Sequence, residues 1–371
     1  MKLKRLLSLL LILSILMIGT GIVSSCNKID KLDNTYDGLS SAENDSSKNF
    51  ETDTDKETDT KDSSNFQSEL SEEEKWNANA SRGLSFTSNR NGTCYVSGIG
   101  SCKDTNITIP TRSPQKDLVV HIGNSAFFNC DTLKSVVVPN SVTSIGQLAF
   151  GACDLLTNVT IDEGVKSIGE DAFSNCYKIA SIIIPNSVTS IDDYAFSHCT
   201  GLTSVTLGNS IKSIGDYVFC ECNKLTNIVI PDSVTSMGHS VFSGCTNLTT
   251  ATVGDGVTSL TSTFINCTNL TNVTIGNSVE RIIDSAFRNC ISLKTVTLPD
   301  SLTSIGFFAF GDCTNLTNVK MGTRITSIGE GAFYGCTKLT VINFAGTQAQ
   351  WETISKEKAK IPFNVTINYG K

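Results

Sequence analysis

The sequence predicts a single right-handed, mostly β solenoid with a parallel sheet and short helical turns. Three observations predict it. A cysteine recurs ten times, at Cys130, Cys153, Cys176, Cys199, Cys222, Cys245, Cys267, Cys290, Cys313 and Cys336, at intervals of 23 residues except for the 22 that end at Cys267. A phenylalanine keeps step three residues ahead of each cysteine, from Phe127 to Phe333. Between these beats apolar residues alternate with Thr, Ser and Asn, the period of a half-buried strand. A fixed period in the range of ~20–50 residues marks stacked repeats, each too small to bury its own apolar face.

One unit, Ser187 to Asn209, shows how a turn of the solenoid is built. Leu202, Val205 and Leu207 point inward, and Thr206 between the last two points out. Gly208, or Pro185 and Pro231 in neighbouring units, ends the strand, because Pro cannot donate to a ladder and Gly weakens one. Val188 and Ile191 form a second inward pair. Ala195 to Cys199 then reverses the chain through an expected short helical turn.

The unit written as CISLKTVTLPDSLTSIGFFAF, Cys290 to Phe310, resembles the BspA-like (treponemal-type) bacterial leucine-rich repeats. The resemblance covers roughly residues 90 to 370. It implies a leucine-rich repeat superhelix and a surface protein that attaches to host extracellular matrix or to other bacteria.

The ends are read separately. Lys2, Lys4 and Arg5 precede an apolar run from Leu6 to about Ile18, the pattern of a secretory signal. Val23-Ser24-Ser25-Cys26 resembles a bacterial lipobox, which implies a signal peptide over residues 1–25 and a diacylglycerol on Cys26. Residues 26–88 read as an acidic, disordered tether; Glu51 to Asn65 has many charges and no apolar period. Within that tether Ser71 to Glu74 has capping-box spacing for a short helix through Trp76. Residues 89–121 read as an N-terminal cap in which Cys94 and Cys102 flank a small hairpin; a cross-strand disulfide between them is the expectation in an exported protein. The array is assigned to 122–344 and a C-terminal cap to 345–371, with a helix carrying Trp351 and Ile354 and a last strand at Val365, Ile367 and Tyr369.

Charge and chemistry narrow the function. Residues 27–80 hold 6 Lys and 15 Asp or Glu, while everything after residue 80 holds 20 basic and 21 acidic residues. A near-neutral array lacks the basic stripe that nucleic acid requires. The periodic cysteines read as a buried column of free thiols, because stacked Cβ vectors point the same way and no close pairs of zinc spacing occur. Cys220 and Cys222 form a close pair without a second pair to complete a site. His121, His198 and His239 fall at different repeat positions, and no catalytic set, metal site or cofactor motif is expected. The acidic turn residues, such as Asp192, Asp193, Asp232 and Asp300, read as solvating groups.

What remains is surface. The outward strand residues run Val137, Thr160, Ile183, Thr206, Val229, Thr252, alternating with the strand-ending Pro139, Asp162, Pro185, Gly208, Pro231 and Gly254 as if a two-unit block had been duplicated. Thr206, Asn227, Val229 and Thr252 are the candidate ligand-facing residues. The expected partners are host or bacterial surface macromolecules, protein or glycan, with the membrane reached by the lipid alone. The alternative is an envelope spacer that binds nothing. The residue missing between Leu260 and Phe264 marks the expected weak point.

Overall fold

A computed structural model describes residues 71–370. The described chain winds through about 12 turns of a β solenoid with parallel sheets and 4% helix. Each repeat contributes three walls, and each wall is held to its neighbours mainly by main-chain hydrogen bonds.

The first wall is made of the strands read from the alternating pattern. Ser135–Val138 pairs in parallel with Asn158–Ile161, Val136 opposite Val159 and Val138 opposite Ile161. Further along, Asn227–Ile230, Thr250–Val253 and Asn272–Thr274 stand in the same register, so the inward residues form one column and the outward ones another. The second wall is a ladder of two-residue strands, Ser144–Ile145, Ser167–Ile168, Ser190–Ile191, Ser213–Ile214 and Ser236–Met237, whose Ile residues are buried and whose Ser residues stand at the surface. Ile191 is inward, as the sequence predicts. The sheet through it carries no sequence sign, because two residues are too few for a period to show.

The third wall corrects an expectation. No helix occurs between Glu72–Ala78 (α1) and Gln348–Thr353 (α2) among the described residues. The segment from Ala195 to Cys199 is a turn whose amides reach the neighbouring repeat: Tyr194 N–H donates to Asp216 O at 2.8 Å, Phe196 to Val218 O at 2.9 Å and His198 to Cys220 O at 2.8 Å. Bonding outward to the next repeat replaces the internal bonds of a helix. It requires two left-handed residues per repeat, such as Tyr194 (φ 57°) and His198 (φ 59°), or Leu148 (φ 54°) and Ala152 (φ 56°). Such φ values are uncommon for large residues and persist where surrounding bonds fix the chain.

Inside, the ten phenylalanines are buried and form nine successive stacked pairs, with ring centroids 5.0–5.7 Å apart. Offset stacks of this kind add ~0.5–1.5 kcal/mol each beyond the area that they bury. The thiol column lies beside them. From Cys153 to Cys336 each Sγ donates to the carbonyl of the preceding repeat's phenylalanine, at 3.0–3.3 Å. The ten periodic cysteines form no disulfides, as expected. Their period has a physical cause: a small side chain with a weak donor fits the second lone pair of a buried carbonyl, such as Phe196 O, which also accepts from Cys199 N–H at 3.3 Å.

The N-terminal cap begins earlier than the sequence boundary of 89. Helix α1 carries the expected capping box, Ser71 with Glu74, and its Trp76 Nε1 donates to Ile109 O at 2.8 Å. Asn77 Oδ1 accepts from Thr111 N–H at 2.9 Å. Residues 71–88 are therefore folded onto the cap, and the tether reading fails there because a few specific bonds, invisible to charge composition, anchor them. The hairpin is also displaced. Ser85–Ser88 pairs antiparallel with Thr93–Gly98, opposing Ser88 to Cys94, and Thr93–Gly98 in turn runs parallel to Leu118–Ile122. Cys94 and Cys102 do not flank its turn and are both free and buried, with Cys94 Sγ 3.6 Å from Asp117 O. The expected Cys94–Cys102 disulfide is not formed. The predicted lipidation site Cys26, the signal segment and the charged part of the tether lie outside the described residues.

At the other end, α2 shows the predicted capping box of Thr347 with Gln350, and Trp351 and Ile354 are buried against the last repeat. Strand Thr366–Tyr369 pairs in parallel with Val341–Phe344 and closes the first wall. The short repeat is where the second wall breaks. The ladder that ends at Ser236–Met237 is not continued by Ser259–Leu260, which starts a new one. Elsewhere a buried carbonyl such as Ile214 O accepts from Gly238 N–H at 2.8 Å; among the described residues Met237 O receives no such bond from Thr261. The first wall stays paired across this repeat, Thr250 opposite Asn272.

Candidate binding face

The outward side of the first wall holds the candidate residues. Thr206, Asn227, Val229 and Thr252 are all exposed, while Leu207, Ile228, Ile230 and Val253 beside them are buried. Asn227 stands opposite Thr250 and Val229 opposite Thr252 in one ladder. Thr206 lies one repeat earlier, opposite Ile183 in a separate two-strand ladder formed by Ser181–Ile183 and Ser204–Thr206. The central outward column thus alternates apolar and hydroxyl side chains, with Ile183 at 68% and Val229 at 61% exposure. Two repeats separate these two apolar residues, roughly 10 Å along a parallel sheet.

The exposed threonines just before the strands are not free for a ligand. Thr203, Thr249, Thr271 and Thr317 turn their Oγ1 onto the carbonyl of the preceding repeat, at 2.8–3.1 Å. These threonines are clips between repeats. Among the described residues Thr206 and Thr252 make no such bond, and both are exposed.

The acidic residues of the turns are structural as well as solvating, which their sequence reading misses. Asp193 Oδ1 accepts from Asp216 N–H and Asp216 Oδ1 from His239 N–H, both at 2.7 Å. Asp284 does the same for Phe307, and Asn124 for Gln147. Asp232 and Asp255 serve the next repeat from the other corner, at 2.9 and 2.6 Å. A short side chain with an acceptor oxygen, recurring at one repeat position, is the signal that the sequence carries. Glu170, Asp192, Asp193 and Asp216 line an open groove of about 510 Å³ over Ile191 and Ile214. Burial raises the carboxyl of Asp192, and the neighbouring Asp193 adds to this.

The three histidines lie in different repeats and do not come together. His121 is half-buried, its Nδ1 2.6 Å from Ser144 Oγ, and burial lowers its pKa. His198 sits on Ser197 Oγ at 2.9 Å and His239 is exposed in a turn of another repeat. Among the described residues no group of three or more His, Cys, Asp or Glu could hold a metal ion. Burial pushes the thiols of Cys153, Cys199 and Cys336 up to about 12, which removes their nucleophilic form at neutral pH. Among the described residues no helix is long and apolar enough to cross a membrane.

The model of the BspA type leucine rich repeat region matches residues 120–249 and 260–358 in six copies. Among solved structures, the chain is similar to a leucine-rich repeat protein of Bacteroides ovatus, with 24% identity over 78% of this chain and 98% of that one and a TM-score of 0.43. It is similar to a leucine rich cell surface protein of Faecalibacterium prausnitzii, with 26% identity, 74% and 97% coverage and a TM-score of 0.37. The leucine rich repeat protein of T. pallidum aligns at 20% identity, 77% and 98% coverage and a TM-score of 0.41. No curated protein matches the chain.

Proposed function

Because the chain belongs to the BspA-type leucine-rich repeat family, we propose that it is an exported, lipid-anchored surface protein that adheres to host matrix or other surface macromolecules through the outward face of the first wall. One observation carries the choice of face: Ile183 and Val229 stand 68% and 61% exposed and alternate with Thr206 and Thr252 along the outward column. Solenoids bind over several repeats, and their affinity is spread across many contacts. A stretch that alternates apolar and hydroxyl groups without charge, as this one does from Ile183 to Thr252, suits a protein or glycan surface. Thr206, Asn227, Val229 and Thr252 are the residues assigned to it. On this reading Cys26 carries the lipid and the acidic stretch holds the array away from the membrane.

Capture of purified matrix proteins by the immobilised chain separates this reading from that of an inert spacer. Saturable capture supports adhesion; none from matrix or from bacterial surfaces sinks it. Anchoring is tested on its own. Cys26→Ala abolishes metabolic labelling with a fatty acid, and unchanged labelling of that variant removes the lipid from the account.

A further inference from the structure

The two strand walls have four terminal edges, two at each end of the described array, and three of them are protected. At the N-terminal edge of the first wall, Ser81 N–H donates to Thr108 O at 2.9 Å and Ser81 Oγ accepts from Thr108 N–H at 3.2 Å. The N-terminal edge of the second wall is the strand Ser85–Ser88, which is interrupted by an irregularity between Ser85 and Phe86. The second wall's C-terminal edge, Ser327–Ile328, is covered by Ser355. The fourth edge is Thr366–Tyr369. Among the described residues it pairs with Val341–Phe344 and with nothing on its other side.

This edge has none of the usual guards. Natural edge strands are blunted by Lys, Pro, a bulge or a covering segment; Thr-Ile-Asn-Tyr has no such feature. Its register fixes which groups are open. Thr366 N–H donates to Thr340 O at 2.8 Å and Gly370 N–H to Phe344 O at 3.0 Å. In a parallel ladder, alternate residues bond to the same neighbour. The amides and carbonyls of Ile367 and Tyr369 therefore point away from the solenoid. The side chains of the inner column are also incompletely covered here: Ile367 is half-buried and Tyr369 is 39% exposed, whereas their stacked neighbours Ile342 and Phe344 are buried.

We propose that this edge pairs with the same edge of a second copy, antiparallel about a two-fold axis through Asn368. Head-to-tail stacking is closed off by Ser81, so a tail-to-tail contact is the arrangement left for this wall. Ile367 of one copy faces Tyr369 of the other, and the two exchange both main-chain bonds; symmetry repeats the exchange, which gives four. Asn368 then meets its own copy as the pair without main-chain bonds, where side chains lie closest. Its chemistry fits that place. Asn368 Nδ2 donates to Asn343 Oδ1 and Asn343 Nδ2 to Asn318 Oδ1, both at 2.9 Å, so the chain of amides ends on an Asn368 oxygen that has no donor among the described residues. An asparagine across the two-fold axis supplies that donor, and accepts in return. The outward faces of both copies then lie on the same side of one continuous sheet, which makes the assembly bivalent for any ligand of that face.

Four main-chain bonds and one amide pair make a small interface, of the weak and transient class. Sedimentation equilibrium of the full chain carrying Cys26→Ala, in detergent, reads the monomer–dimer balance, and the register is read by cross-linking. The parent shows reversible dimers, and Asn368→Lys, which sets two like charges face to face at an exposed position, raises the dissociation constant at least ~10-fold. Asn368→Cys cross-links to dimer on mild oxidation, since facing Cα atoms of such a pair lie ~4.5 Å apart, within disulfide reach. Thr366→Cys does not, because the two copies of that residue stand roughly 13 Å apart along the strands. A parent that stays monomeric with neither variant cross-linking overturns the proposal. So does a dimer that Asn368→Lys leaves unchanged, or equal cross-linking at both positions.

Discussion

Replacing Thr263 by Val in the short repeat should stabilise the array. Thr263 is fully buried, and its Oγ1 has no hydrogen-bond partner. The same place in other repeats is held by Ala172, Ala195, Val218, Val241, Ala286, Ala309 and Ala332, all buried and all without a polar atom. Valine keeps the shape of threonine, so the substitution leaves no cavity and adds no volume. It removes only a hydroxyl whose desolvation is uncompensated, a term of ~1–3 kcal/mol for a buried group. The gain falls at the repeat where the second wall is interrupted between Met237 and Leu260, the weak point that the missing residue leads one to expect. A solenoid unfolds as coupled neighbours, so a stronger weak point raises the midpoint of the whole transition or removes an early phase from it. Urea denaturation followed by circular dichroism, with amide exchange across residues 259–267, measures both. Thr206→Val serves as the exposed control and should change stability by less than ~0.5 kcal/mol. A neutral or destabilising Thr263→Val would mean that the hydroxyl is satisfied in solution, and the reasoning about the short repeat would fail.

Two further outcomes follow from the clips and the thiols. Asp193→Ala should cost about 1 kcal/mol in the same denaturation assay by leaving Asp216 N–H without its acceptor, whereas Asp193→Asn, which keeps an oxygen in place, should be near neutral; equal losses in both would assign the effect to charge. The thiol column makes stability fall at high pH: folded Cys153, Cys199 and Cys336 hold their protons to about 12, while the ordinary value is 9.0, so the unfolded chain binds fewer protons between these limits. Stability should be flat in this respect below pH 9 and decline from there toward 12, a trend that a denaturation series with buried cysteines replaced by Ala would lose.

The sequence is most legible where one residue type marks one repeat position. Phe196 and Cys199 recur often enough to give the period, and the period places Leu202 and Leu207 in the core and Thr206 outside it. Legibility ends where main chain does the bonding. The turn from Ala195 to Cys199 looks like a helical turn in sequence because its partners, such as Val218 O, lie a full repeat away. The ladder through Ile191 is two residues wide, too short for any alternation. Nearness along the chain suggests pairing Cys94 with Cys102, yet Cys94 is committed to a strand that faces Ser88 and Val119. Composition hides residues 71–88, since Trp76 and Asn77 anchor an otherwise polar segment through single bonds to Ile109 and Thr111. For the candidate face, exposure is readable from the alternation. The division of its threonines into clips and free hydroxyls is not, because the carbonyl that a clip reaches, such as Ala180 O for Thr203, lies a full repeat away.

The most direct test of the account is the binding of the chain with Thr206, Asn227, Val229 and Thr252 all changed to Lys, measured against matrix protein beside the parent. All four side chains are exposed, so circular dichroism and the denaturation midpoint should be nearly unchanged. Four cations on an uncharged, partly apolar face should weaken binding at least ~10-fold, and more salt should not restore it, since the lost contacts are hydrogen bonds and apolar area. A well-folded variant that binds as strongly as the parent would show that this face is inert and would contradict the account.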